Sequence, residues 1–196
     1  MRRRGSEASL FSELGTPEVR RFMWAPPPDA GAFAQFIDWA HAERATGKYI
    51  CYGIVPRGET RAAGVFELRQ LQPGFGRGEL GFVLASRLWG RGLFPEGSRL
   101  VLDFAFQVVK VHRIEARSAV DNPRGNAALQ KLGAVREGRL REAFWREDHY
   151  IDSVHVVAAR HRLVGRQASD ERQVAARLPV GGGRLVAGRA PERRYG

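Results

Sequence analysis

The segment with the clearest chemical potential is a glycine-rich stretch between a strand-like run and a long helix-like run. It reads Arg87-Leu88-Trp89-Gly90-Arg91-Gly92-Leu93-Phe94. Backbone N–H groups in such a loop, with the positive end of the following helix, can bind a pyrophosphate. Glycine lets phosphate oxygens reach the backbone, and Arg87 and Arg91 can add charge-assisted contacts. A lone G-x-G is equally typical of a flexible turn, so its surroundings must decide.

The elements around this loop follow from the spacing of apolar residues. Asp29 is a candidate N-cap for a helix from about 30 to 46. Residues 94–110 are apolar on nearly every side, which predicts a buried helix, and 127–132 predict a short helix that Gly133 ends. Strands are predicted over 49–55, 62–71, 79–84, 113–120, 134–146 and 150–159. This order predicts an α/β domain, a mixed sheet with helices on both faces.

The net charge of +11, from 32 basic and 21 acidic residues, first suggests a nucleic-acid binder. Nine of those net charges lie in Arg2–Arg4 and in residues 160–196, so residues 5–159 carry only +2. The composition turns to Arg, Gly and Ala late in the chain, which predicts a domain over 1–164 and a loosely ordered tail over 165–196. Nucleic-acid binding is therefore expected only through that tail.

Cysteine and histidine usage argues against a disulfide or a metal centre. Cys51 is the only cysteine, and one Cys with five scattered His cannot form a four-ligand zinc site, so we expect no metal. Cys51 lies in a probable strand and is interpreted as buried filler rather than a nucleophile. No apolar signal region and no 18-residue apolar stretch occur, which predicts a soluble cytoplasmic protein without membrane contact.

The succession of strand, R-x-x-G-x-G loop, helix, strand and Asn122 resembles the acetyl-CoA site of the GNAT superfamily of N-acetyltransferases. Further ordered matches resemble the RimJ/RimL-type branch, named for ribosomal-protein N-terminal acetyltransferases, over roughly residues 8–160. They are the segments 17–22, 79–82, 89–92, 112–116, 131–134 and 136–138. The resemblance implies a mostly antiparallel sheet with a splayed strand pair holding the cofactor. It also implies an acetyl-CoA-dependent N-acetyltransferase that acts by direct transfer on a protein N-terminus or a small-molecule primary amine.

By this resemblance, the cofactor site begins on the strand before the loop. Phe82, Val83 and Leu84 should line the pantetheine arm and supply an N–H to the thioester oxygen. Residues 88–93 should wrap the pyrophosphate, and Asn122 should bind the pantetheine, with a plain N-cap as its alternative. The full set is Phe82, Val83, Leu84, Arg87, Leu88, Trp89, Gly90, Arg91, Gly92, Leu93, Asn122 and Gly125.

The catalytic groups are less clear, because direct transfer needs a base for the amine and a proton donor for the leaving thiolate. RimL-type enzymes have a serine three residues after the asparagine, but this chain has Gly125 at that position. Some of them also have an acidic residue where this chain has Phe144. Glu79 through water, or His149, is a candidate base, and Tyr150 is a candidate donor to sulfur. Each is equally well interpreted as an ordinary solvent-facing residue.

Several alternatives stay open. The missing serine and the arginine-rich tail are compatible with a catalytically degenerate GNAT domain that binds an acyl-CoA, RNA or the ribosome. Relatives usually start with a strand before the equivalent of residues 6–14, so that strand is either absent or the sequence begins late. Edge strands make a homodimer reasonable. The acceptor side should include Trp24 and Trp39, with Trp145 on the opposite wall, and most such aromatic residues are expected to be core.

Overall fold

In the part of the chain that the structure describes, seven strands form the sheet, and the sequence predicts all but the last of them. The computed structural model describes residues 6–146, 148–159 and 184–185. The strands are β1 Tyr49–Val55, β2 Gly64–Gln70, β3 Arg77–Leu84, β4 Arg113–Ala119, β5 Val135–Arg146, β6 His149–Ala159 and β7 Arg184–Leu185. Their order across the sheet is β5-β6-β4-β3-β2-β1-β7. The mixed α/β class is confirmed.

Five α-helices accompany the strands in the described part of the chain. They are α1 Ser6–Leu14, α2 Pro17–Arg20, α3 Ala30–Ala45, α4 Leu93–Phe104 and α5 Pro123–Lys131. The Ala32 N–H donates to Asp29 Oδ1 at 2.8 Å, which confirms the predicted cap of α3. Gly133 has a φ of 79° just after α5, the left-handed conformation that commonly ends a helix.

One strand pair differs from all the others. Neighbouring strands are antiparallel except β3 and β4, which run parallel. Their register ends with Glu79 opposite Glu115, although β3 continues to Leu84 and β4 to Ala119. The two strands therefore part beyond that point. We call this gap the β3–β4 cleft.

The two faces of the sheet have opposite character. On one face, Phe66 and Leu68 of β2 are almost fully buried, and α4 packs close to Phe66 because Gly97 has no Cβ. The other face, called the charged face below, carries alternate residues of the central strands. These are Glu67, Arg69, Glu79, Glu115 and Arg117. Alternation along each strand separates the apolar residues from the charged ones.

The long central helix is less buried than its composition predicts. After Phe104 it continues as a π-helical turn, Ala105–Val109, and Lys110 ends it with a φ of 64°. Leu100 is 45% and Val108 is 61% exposed, so the expectation of burial on every side is wrong. The helix packs on the sheet along one stripe only, and its apolar residues also occupy the outer side.

The β5–β6 hairpin extends further than predicted. The sequence predicts strands over 134–146 and 150–159, but β6 already begins at His149, and His149 and Tyr150 pair with Arg146 and Trp145. Only residues 147 and 148 connect the two strands, so pairing reaches almost to the tip. Consequently, the two side chains point to opposite faces of the hairpin.

The two ends of the chain fall largely outside the described residues. Residues 1–5 lie there, and so the question of a preceding strand is not decided. Within the predicted tail, Arg184–Leu185 add a short antiparallel strand to Ile54 and Val55 at the outer edge of β1. The boundary between 164 and 165 stays a prediction. No helix in the described ranges is long and apolar enough to cross a bilayer.

Candidate functional site

The β3–β4 cleft exposes hydrogen-bonding groups of the β3 backbone. The Arg77 carbonyl and the Ala85 N–H both bond on the β2 side, at 3.0 and 2.9 Å. Because alternate residues point their N–H and C=O groups to opposite edges of a strand, those of Phe82 and Leu84 face β4. Here β4 has already moved away, so these groups line the cleft.

Phe82 has the freest polar backbone in this cleft. The Leu84 carbonyl accepts a hydrogen bond from Trp89 Nε1 at 3.0 Å. The N–H of Val83 faces β2, which restricts Val83 to side-chain contacts with anything bound in the cleft. Of the three residues predicted to line an extended ligand, Phe82 can therefore offer its backbone N–H and C=O for hydrogen bonds, and Leu84 can offer only its N–H.

The glycine-rich loop offers an open backbone surface at the end of the cleft. Gly90 and Gly92 have φ of 75° and 79°, and a Cβ placed on either would meet nothing within 4 Å. Helix α4 starts directly afterwards, so the N–H groups of Leu93 and Phe94 have no partner within the helix. This geometry suits an anion at the helix start.

Arg87 is paired with two carboxylates. Its guanidinium donates to both carboxylates of Glu13 and Glu59 at 2.7–3.0 Å. Hydrogen bonds to Glu59 and Glu13 raise the pKa of Arg87. Two carboxylates thus neutralise the charge of Arg87, which weakens the predicted phosphate contact. Arg87 instead ties α1 and the β1–β2 turn to the start of the loop.

Asn122 serves as the N-cap of α5, which was the alternative to its predicted role in binding the pantetheine. Its Oδ1 accepts from the Gly125 N–H at 2.9 Å. A Cβ at Gly125 would lie 2.5 Å from Asn122 Nδ2 and 2.9 Å from Ser118 Oγ, a hydroxyl that is buried without a hydrogen-bond partner. A serine here would therefore shift the Asn122 side chain and disturb the cap.

Glu79 lies on the charged face where the cleft begins. Its Oε1 accepts from Arg117 Nε at 2.7 Å and its Oε2 accepts from Arg69. Burial alone would raise the pKa of Glu79, but the two arginines outweigh it and hold that pKa below its usual value. A carboxylate with both oxygens occupied and a lowered pKa is a weak base, which weakens the prediction made for Glu79.

Arg117 is the residue that the sequence interpretation missed on this face. Its guanidinium lies 5.5 Å from the ring centroid of Trp24, which in turn contacts Phe144 at 5.0 Å. Arg146 donates to backbone carbonyls of the segment before Trp24, which ties that segment to the hairpin. Trp24, Trp39 and Trp145 are 61%, 47% and 56% exposed, so none of these three rings is among the aromatic residues expected in the core. The charged odd-numbered positions of β4 were the available signal.

The three catalytic candidates do not lie together. His149 Nδ1 is 2.8 Å from Asp148 Oδ1, an exposed pair at the hairpin tip in which the histidine lowers the pKa of Asp148. Tyr150 packs edge-on against Trp145 at 4.9 Å. Tyr150 pairs with Trp145, and the neighbouring residue Phe144 points to the opposite side of the hairpin, where it contacts Trp24. The Tyr150 and Trp145 side chains therefore face away from Trp24 and from the charged face.

Neither a thiol nucleophile nor a metal cluster is found among the described residues. Burial raises the pKa of the Cys51 thiol to about 12, so it is protonated at neutral pH. The described ranges hold no group of three or more His, Cys, Asp or Glu side chains placed to bind a metal ion.

A family model described as an acetyltransferase (GNAT) domain matches residues 4–135, two thirds of the chain. The chain belongs to the GNAT acetyltransferases. The match covers the cleft, the loop and all of α5. It places the chain among N-acetyltransferases, and relatives named as ribosomal-protein acetyltransferases support the RimJ/RimL-type branch.

Individual relatives of this GNAT chain are distant. The putative ribosomal N-acetyltransferase YdaF of Bacillus subtilis is 23% identical over 109 residues, 56% of this chain and 57% of YdaF. The matched stretch thus spans little more than half of that relative.

Solved GNAT structures share the fold. Mycobacterium smegmatis RimJ in complex with CoA-disulfide has a TM-score of 0.75 at 20% identity, covering 90% of this chain and 86% of RimJ. Vibrio cholerae spermidine N-acetyltransferase in complex with CoA and spermine has a TM-score of 0.71 at 18% identity, with 83% and 95% covered.

Proposed function

We propose that this protein is an acetyl-CoA-dependent N-acetyltransferase that transfers the acetyl group directly to a primary amine. The observation that carries the proposal is the β3–β4 cleft, whose freed backbone at Phe82 leads to the open loop at Gly90 and Gly92. A narrow cleft that ends at an anion-binding loop fits a long ligand with a pyrophosphate. Acetyl-CoA supplies the activated thioester, and the chain binds and orients it.

The chain's contribution to the donor side is mostly backbone. The Phe82 N–H is assigned to the thioester oxygen, and loss of such a hydrogen bond typically lowers rates by about 100-fold or more. The N–H groups of Gly90, Gly92 and Leu93 are assigned to the pyrophosphate, with Arg91 beside them. Leu88 is buried beneath the loop, and Trp89 is fixed by its hydrogen bond to the Leu84 carbonyl. Asn122 is assigned to the pantetheine through Nδ2, because its Oδ1 is used by the Gly125 N–H.

On the acceptor side, His149 is the residue that best fits a general base. It is exposed, its imidazole can accept a proton, and Asp148 can orient its ring. It shares the Trp24 side of the hairpin, because Arg146, its strand partner, reaches the segment before Trp24. Glu79 is assigned to holding Arg117 in place rather than to proton transfer. Tyr150, on the other side, is the remaining candidate for protonating the thiolate.

The charged face favours an acceptor that is not a polycation. One relative is named as a ribosomal N-acetyltransferase, and one fold neighbour is a spermidine N-acetyltransferase bound to spermine. A polyamine needs free carboxylates, but Glu79 is paired with two arginines and Asp152 with Arg139. A peptide N-terminus, which carries one amine and a polar backbone, fits this face better. We place its reaction in the cytoplasm.

The test is a turnover screen that follows thiol release from acetyl-CoA. The acceptors are N-terminal peptides, amino acids, aminoglycosides and polyamines, and the expected result is turnover with a peptide N-terminus above that with spermidine. The variant His149→Ala should lower kcat, whereas Tyr150→Phe tests the donor role separately. Calorimetry with acetyl-CoA provides the binding control.

A non-enzymatic role is the second candidate, because Gly125 leaves no serine at the donor position and Glu79 is a poor base. A catalytically degenerate domain would bind acetyl-CoA in calorimetry yet release no thiol with any acceptor. Absence of acetyl-CoA binding by the folded protein would exclude both functions. RNA binding that weakens steeply with salt, and disappears on removing residues 165–196, would instead favour a tail-mediated contact.

A further inference from the structure

We propose that Arg124, held in place by Trp89, binds a phosphate group of the acyl-CoA donor. This inference rests on the proposed function, because it assumes that the β3–β4 cleft takes a CoA thioester. In this proposal Arg124 supplies the positive charge that the sequence motif assigned to Arg87, and it does so from a different element. Arg124 is the second residue of α5, two positions after the cap Asn122.

The position of the guanidinium is fixed by an aromatic platform. Arg124 Cζ lies 3.6 Å from the ring centroid of Trp89. The indole is itself immobilised, since its Nε1 donates to the Leu84 carbonyl at 3.0 Å. The stack therefore brings a cation from the helix after β4 to the loop after β3, joining the two walls of the cleft beside Gly90.

The charge of Arg124 is available, in contrast to that of Arg87. Within the described ranges, Arg124 has no carboxylate at ion-pair distance, whereas Arg87 has two. Stacking uses the flat face of a guanidinium and leaves its N–H edge free for planar, bidentate recognition of a phosphate. A cation held on a ring without an acidic partner next to an open anion loop is the arrangement expected for phosphate binding.

Two groups of CoA offer this chemistry, the pyrophosphate and the phosphate on the ribose. The geometry of the stack beside the loop is compatible with both, so the ligands used in the test must separate them. Acetyl-CoA carries both groups, 3′-dephospho-acetyl-CoA lacks the ribose phosphate, and acetyl-pantetheine lacks all phosphate. Comparing affinities along this series isolates the phosphate that Arg124 contacts.

The experiment is calorimetry on the full chain with these three ligands. Arg124→Ala should weaken acetyl-CoA binding by about tenfold, the typical loss of a charge-assisted contact at a partly exposed site. It should leave acetyl-pantetheine binding unchanged. The matched control is Arg99→Ala, which removes one exposed arginine from α4 and should change affinity by less than about twofold. Circular dichroism verifies that all variants are folded.

Each outcome decides the proposal. A loss that persists with 3′-dephospho-acetyl-CoA supports a pyrophosphate contact, and a loss that vanishes with it supports the ribose phosphate. Unchanged acetyl-CoA affinity in Arg124→Ala overturns the proposal. An equal loss of acetyl-pantetheine affinity in Arg124→Ala also overturns it. Tighter acetyl-CoA binding by Arg124→Ala overturns it too, because the stack would then obstruct the cleft. No binding of acetyl-CoA by the unaltered protein would refute the proposed function instead.

Trp89 is a positioning residue, and its role has a separate readout. Trp89→Leu removes the platform, so Arg124→Ala should cost much less affinity in the Trp89→Leu background than in the unaltered protein. Additive effects of the two substitutions would show that Trp89 does not hold Arg124 in its binding position. In that case the stack would be incidental and the proposed coupling overturned.

Discussion

Replacing Glu79 by Gln is the most informative perturbation of the charged face. The change keeps the shape of the side chain but removes the charge that pairs with Arg117 and Arg69. Hydrogen bonds to a charged group contribute about 1.5–3 kcal/mol each. The Arg117 and Arg69 side chains are 33% and 51% exposed, and solvent screens both pairs. We therefore expect the free energy of unfolding to fall by about 1–2 kcal/mol at pH 7.

The pH dependence identifies the cause. The pKa of Glu79 is lowered in the folded state, so its stabilising effect is present above the unfolded-state pKa and is lost as pH falls through the folded-state value. The difference between Glu79→Gln and the unaltered protein should be largest near neutrality. It should vanish in strong acid, where Glu79 is protonated and resembles Gln.

Urea unfolding at a series of pH values measures this difference. With a slope of roughly 2 kcal/mol per molar urea, the expected loss moves the midpoint by about 0.5–1 M at pH 7. A change of less than about 0.3 kcal/mol, or a difference that does not depend on pH, would refute the electrostatic reasoning.

Glu67→Gln on the same face is the matched control with the opposite sign. Burial raises the pKa of Glu67, so this group makes the unaltered protein less stable as pH rises from the unfolded-state pKa to the folded-state value. The substitution should be neutral or stabilising at pH 7, and its benefit should grow with pH over that window. If both variants behaved alike, a general loss of packing would be the better explanation.

Further predictions concern the loop, the cap, the core and the cysteine. Gly90→Val should abolish acetyl-CoA binding in calorimetry, because a β-branched residue is strained at a φ of 75° and covers the loop. Asn122→Ala should weaken acetyl-CoA binding only moderately. Equal, negligible effects of both substitutions would count against the site. Gly97→Ala should destabilise the fold by about 1–3 kcal/mol in urea, since its Cβ would lie 2.6 Å from the Phe66 ring, and an unchanged midpoint would mean that α4 moves freely. Cys51 should react slowly with iodoacetamide at pH 8 until urea unfolds the protein, because burial raises its pKa to about 12, and rapid native labelling in mass spectra would contradict that burial.

Much of the fold was accessible from local patterns. The cap at Asp29, the end of α5 at Gly133 and the bounds of β1 follow from side chains within a few residues of each other, and the structure confirms them. The prediction for residues 94–110 failed in one respect only, their complete burial. Composition says how apolar a helix is, whereas only the neighbouring sheet determines which stripe it covers.

The sequence by itself determined the strand–loop–helix order and the glycines whose backbone the loop needs, because both depend on short-range geometry. Tertiary structure alone decided which cations and carboxylates are free. Arg87 meets Glu13 and Glu59 from distant parts of the chain, while Arg124 meets no described acid. Pairing of this kind depends on distances between residues far apart in sequence. For the same reason, the parting of β3 and β4 became visible only in the folded sheet.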